Sequence, residues 1–170
     1  GTGTLNACPH GHFATGDGKF MSIACTTDKM FERLTGAMER PDLWGDFGDQ
    51  AKRLAARDQV IAQVTNWTTS MSRKEVLHLC VDHEVPAGAI NSIADIFEDP
   101  HFKARENIVS VPVPGLGDVM VPGVFPKLSK TPGKIVTLGP LLGSANQAIY
   151  EGELGFSTFD IETLKRKGVI

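Results

Sequence analysis

The chain has 170 residues, with 17 Lys+Arg against 20 Asp+Glu, and so a formal net charge of −3 at pH 7. With 41% hydrophobic and 22% charged residues, wholesale disorder is excluded, and this length carries one core or a core plus an extension. The mild acidity (pI ≈ 5.9) excludes a broad basic nucleic-acid surface.

In chain order, Gly1–Asn6 lacks the charged and apolar regions of a signal peptide, and no apolar run is long enough to span a membrane, so a cytoplasmic protein is expected. Cys8-Pro9-His10-Gly11-His12 holds three possible metal ligands, but no second ligand set stands at zinc spacing, so it reads as a polar loop before a strand. Phe20–Cys25, entered from the turn dipeptide Asp17-Gly18, reads as a buried strand, with the Asp17 carboxylate serving the turn. Thr27 caps the next helix, whose apolar stripe is Met30, Phe31, Leu34 and Met38. Pro41 starts a short segment, and Gly45 to Asp49 reads as irregular. A helix follows from about Gln50 to Thr68, polar in its first turns, burying Leu54, Val60, Ile61, Val64 and Trp67. Ser72-Arg73-Lys74-Glu75 fits a capping box, and that helix ends near Glu84, because Pro86 disfavours helical geometry at Val85.

Val85–Ile90 reads as extended, Ser92–Asp95 as a cap for a short helix to about Phe97, and Asp99-Pro100 as a fresh helix start. The acidic residues Asp95, Glu98 and Asp99 fall at these helix ends, where capping and solvation account for them without a paired-carboxylate site. Asn107–Val113 and Val119–Val121 around Gly115-Leu116-Gly117 form a β-hairpin, with Pro112 and Pro114 on an exposed edge. Pro122, Pro126, Pro132 and Pro140 mark an extended connector. Next comes a helix from about Ser144 to Leu154, with Ala148, Ile149 and Leu154 inward. A last helix, capped by Ser157, carries Phe159, Ile161 and Leu164 and ends at Gly168, with Lys165–Lys167 complementing its dipole. The fold class expected is α+β (α/β overall): a small α/β body with a β-hairpin, then an extended connector and C-terminal helices.

Catalytic templates fail. There is no G-x-S-x-G, no phosphate-binding G-x-x-x-x-G-K-[ST] and no H-E-x-x-H. Cys8, Cys25 and Cys80 are odd in number and widely spaced, which predicts reduced thiols, with Cys25 and Cys80 as small buried hydrophobes. Residue chemistry alone assembles no nucleophile, base and orienter, no metal site and no covalently bound cofactor.

Four stretches together resemble the family III CoA-transferases, the CaiB/BaiF family: Thr15–Cys25 with its T-x-D-G start, Val85–Asp95 continuing into Asp99–Phe102, Pro114–Gly117 with Val121–Ser129 and Thr131-Pro132, and Pro140–Gly143. The resemblance covers nearly the whole chain and is to the C-terminal part of that family only. It implies that residues 1–121 match the small domain, 122–139 the connector, and 140–170 the helices that return to the large domain of a homodimer with interlocked chains. One departure stands after Gly143, where the family's acidic residue and histidine are replaced by Ser144-Ala145.

The resemblance further implies a transfer of CoA between an acyl-CoA and a small carboxylic acid through an aspartate nucleophile, a form of covalent catalysis. That aspartate lies in the family's N-terminal part, so no catalytic residue is assigned here and the chain alone is expected to be inactive. Asn6, Pro9, His10 and Gly11 are substrate-proximal candidates, since Asn6 to Gly11 is the region nearest to a glycine-rich loop that approaches the reacting carbonyl in some relatives, although the glycine run itself is absent here. Coenzyme A and acyl-CoA enter as substrates. The alternatives are part of a 2-methylacyl-CoA racemase of the same family, or a stand-alone non-catalytic binding module.

Overall fold

Strand β1 (His10–Ala14) pairs antiparallel with β2 (Phe20–Ala24), and β2 with β3 (Ala87–Ile90), in a three-stranded sheet of order β1-β2-β3. The structure, a computed structural model, describes residues 2–170. The expected polar loop is therefore already strand from His10. Gly11 and Phe13 are buried on one face, paired with Ile23 and Met21, Phe13 in the core and Gly11 beneath Thr2 and Gly3, while His10 and His12 take the other face. This alternation was hidden because one of its inward positions is a glycine. Between β1 and β2, Gly18 takes φ 72°. The Asp17 carboxylate accepts from the Thr15 hydroxyl at 2.6 Å and from the Arg73 N–H at 3.2 Å, so it serves the turn and also ties it to the next capped helix.

The helices of this body are α1 (Asp28–Ala37), α2 (Pro41–Phe47), α3 (Gln50–Ala55), α4 (Arg57–Thr69) and α5 (Arg73–Asp82). Thr27 caps α1 and Ser72 with Glu75 forms the capping box of α5, as expected. Two expectations change. The segment after Gly45 stays helical to Phe47, because Leu43 and Phe47, one turn apart, both bury. The helix from Gln50 is two helices, broken at Ala56 (φ −105°, ψ 29°) with no proline or glycine to announce it. Helix α4 packs on β1, α5 on β3 and α1 on α5, enclosing Met21, Ile23, Phe31, Leu34, Val64 and Val76. Each such side chain contributes about 1.5–3 kcal/mol when removed from water. Cys25 and Cys80 lie in this core as read from the sequence, and Cys8 joins them.

Further along are α6 (Ile93–Glu98), α7 (Pro100–Ala104) and an antiparallel hairpin of β4 (Ile108–Val113) and β5 (Gly117–Pro122), registered from Ile108↔Pro122 to Val113↔Gly117. Residues 123–145 form no helix or strand. A π-helix at Gln147–Glu153 precedes α8 (Thr158–Arg166), which Ser157 and Asp160 cap reciprocally. The chain divides into two compact units, Gly1–Asp95 and Ile96–Ile170. Within the second, Ile161 alone is buried. Ile149 and Leu154, expected inward, are 43% and 59% exposed, because this unit has too little packed apolar surface to cover them.

Candidate functional site

The candidate residues lie where the N-terminal segment enters β1. Asn6 is exposed, and Pro9 is fully buried. His10 is half-buried, with an Nδ1 that has no hydrogen-bond partner. Gly11 is buried on the other face of the strand from His10, where Thr2 and Gly3 of the N-terminal segment lie over it. The four candidates are thus spread over the segment: Pro9 and Gly11 are buried, His10 is half-buried and Asn6 is exposed.

What fixes this segment is a set of side chains from α3 and the start of α4. Arg57 donates to the carbonyl of Leu5 at 2.9 Å and to that of Ala7 at 3.3 Å. Gln50 donates to the Asn6 carbonyl at 2.6 Å, and Arg53 Nε to the Cys8 carbonyl at 2.7 Å. Arg53 is wholly buried. Its other nitrogens reach the carbonyls of Phe47 and Gly48 at 3.0 and 2.8 Å and the Asp28 carboxylate at 2.7 Å, and its guanidinium lies 4.7 Å from the centre of the Phe31 ring. Burial pushes the Cys8 thiol up, and the charges of Arg57 and Arg53 oppose that shift. The sequence reading placed these three side chains only in the polar first turns of a helix. The available signal is the four-residue spacing of Arg53 and Arg57, which would put two cations on one face of an unbroken helix; the structure brings them to the same segment across the break at Ala56.

Two other constellations have the following surroundings. In the Cys8–His12 segment, Cys8 is buried while His12 is exposed on the outer face of β1. Among the described residues, no group of three or more His, Cys, Asp or Glu side chains is placed to hold a metal ion. Asp95 accepts from Lys19 at 2.8 Å and from the Ser92 N–H and hydroxyl at 3.0 and 2.9 Å, and Arg73 stands 3.3 Å away. The Lys19 hydrogen bond leads in holding its carboxyl well below the usual range, followed by those from Ser92. Arg73 also donates to the Ile90 carbonyl at 2.5 Å. Asp99 caps α7 and Glu98 pairs with Lys103 at 3.4 Å, so each acidic residue has its own local partner.

The sequence pattern of CoA-transferase family III matches residues 1–146. The alpha subunit of succinyl-CoA–L-malate CoA-transferase from Chloroflexus aurantiacus is 50% identical over 173 aligned positions, which take in 100% of this chain and 40% of that protein. The beta subunit from the same organism is 46% identical, over 96% of this chain and 41% of its own length. The crystal structure of a CaiB/BaiF family protein from Brucella suis superposes with a TM-score of 0.74 at 28% identity, covering 89% of this chain and 39% of that one. The chain spans about two-fifths of the length of the curated relatives it matches. Its α+β fold, its sequence pattern and its nearly end-to-end alignment agree, and the chain belongs to the family III CoA-transferases.

Proposed function

We propose that this chain is the C-terminal part of an acyl-CoA:carboxylate CoA-transferase that exchanges CoA between succinyl-CoA and a hydroxydicarboxylic acid of the malate type. The observation that carries this reading is the 50% identity, over the full chain, to a protein that joins those two substrates in its name. In this reading residues 1–121 are the small-domain region, 122–139 cross to the large domain, and 140–170 pack on it. The large exposed side chains Leu141, Leu142 and Phe159 are then docking residues, apolar groups that packing on the large domain would withdraw from water. Asn6, Pro9, His10 and Gly11 stand on the acid side of the site and the aspartate nucleophile is supplied by the large domain. The assembly is a homodimer in the cytoplasm.

A chimera tests this: the N-terminal part of the Chloroflexus alpha subunit is joined to this chain and given succinyl-CoA and L-malate. The expected result is L-malyl-CoA and succinate in equal amounts, with no exchange by this chain alone. A folded chimera without exchange, or exchange by the chain alone, overturns the reading.

A further inference from the structure

Four consecutive carbonyls, Leu5 to Cys8, are each held by a side-chain donor from one helical region: Arg57 for Leu5 and Ala7, Gln50 for Asn6, Arg53 for Cys8. A trans peptide unit is planar, with its C=O and the following N–H pointing in opposite directions. Drawing the carbonyls of Leu5, Asn6 and Ala7 onto these donors therefore turns the N–H groups of Asn6, Ala7 and Cys8 away from them. None of these three N–H groups has an acceptor among the described residues. Ala7 and Cys8 are themselves buried, where an N–H without an acceptor is costly. Charge points the same way. Arg53 is balanced by Asp28 at 2.7 Å, whereas Arg57 is bonded to carbonyls and to no carboxylate among the described residues. A guanidinium without a counter-charge thus lies behind a row of donors that lack acceptors, and successive N–H groups so arranged form an anion-binding concavity.

We propose that Arg57 and Gln50, with Arg53, are positioning residues. They hold Leu5–Cys8 so that the Asn6–Cys8 N–H groups receive a carboxylate of the acid substrate. This deepens, and rests on, the reading of the segment as the acid side of a CoA-transferase site. The side chains do not touch the substrate in this scheme. They set the direction of the backbone donors and raise the local potential.

The test uses the full 170-residue chain, with L-malate as ligand, inorganic sulfate as the control anion and amide NMR as readout. In the unsubstituted chain malate is expected to move the Asn6, Ala7 and Cys8 amide resonances, and sulfate at the same ionic strength to move them less. Arg57→Ala is expected to displace these resonances before ligand is added and to weaken malate binding by roughly tenfold or more, the effect of losing hydrogen bonds to a charged group. Arg57→Lys, which keeps the charge but lacks the planar fork whose two nitrogens reach the two carbonyls, is expected to lie between. Gln50→Ala removes one hydrogen bond near the surface and serves if Arg57→Ala does not fold. It is expected to displace the same amides and weaken malate binding less. Malate that leaves these amides unmoved, or binds the folded variants as tightly as the unsubstituted chain, overturns the proposal. The two readings fail separately: a chimera that exchanges CoA while malate leaves these amides unmoved retains the transferase and discards the carbonyl clamp.

Discussion

Arg53 is the residue on which the N-terminal half of the molecule converges. A guanidinium taken fully out of water carries a desolvation cost of several kcal/mol, which only a complete set of acceptors offsets. Here that set is the carbonyls of Cys8, Phe47 and Gly48, the Asp28 carboxylate and the face of Phe31. The acceptors are not equal. Asp28 is half exposed, so its charge is screened by solvent, while the carbonyls hold the buried part of the group. Arg53→Ala is therefore expected to lower stability by about 3–5 kcal/mol, the range for removing one partner of a buried ionic network. Asp28→Asn is expected to lower it by less than about 1 kcal/mol. Urea unfolding followed by the fluorescence of Trp44 and Trp67 measures both. Equal losses would mean that the ion pair, rather than the carbonyl set, keeps the guanidinium in place. The sequence offered no view of this role, because backbone carbonyls are the same at every residue and a pattern of side chains does not display them.

At the level of elements, what was legible is what is local. Thr27, Ser72 and Ser157 cap helices because their hydroxyls reach an N–H within three residues, a geometry written in the sequence itself. The hairpin was legible for the same reason, in alternating β-branched residues around glycines. Strand β1 and the break at Ala56 were not, since Gly11 is buried without a side chain to mark the alternation and the break carries no proline or glycine to announce it. Asp95 joins local and distant information: it caps with Ser92, yet also draws in Lys19 from the β1–β2 turn and Arg73 from α5. Its folded-state pKa is depressed, so its contribution is fully present above its ordinary 3.8 and is lost as pH falls below that toward the folded value. Asp95→Asn is thus expected to be less stable than the unsubstituted chain at neutral pH and to lose less stability on acidification, the two curves converging at low pH. Thermal melts across that range measure it, and parallel curves would show that another carboxylate sets the acid dependence.

The molecule as a whole is unevenly packed. The unit Gly1–Asp95 has a closed core of aromatic, aliphatic and cysteine side chains, whereas in Ile96–Ile170 Ile161 alone is buried. In that second unit Leu116, Phe125, Val136, Leu141, Leu142 and Phe159 are each at least 72% exposed. Stability follows the apolar area withdrawn from water, so the second unit is the weaker of the two and unfolds over a broader range, with a smaller dependence on denaturant. The aromatic residues make this testable without substitution. Both tryptophans, Trp44 and Trp67, lie in the first unit, and the chain's one tyrosine, Tyr150, lies in the second, 5.6 Å from the Phe156 ring. Tyrosine absorbance is expected to change at lower urea than tryptophan fluorescence, with a shallower slope. A partner that covers the exposed apolar residues of 96–170 stabilises only the state that binds it, and so is expected to raise the tyrosine midpoint toward the tryptophan one. Coincident, equally steep transitions in the chain alone would show instead that the second unit draws its stability from the first.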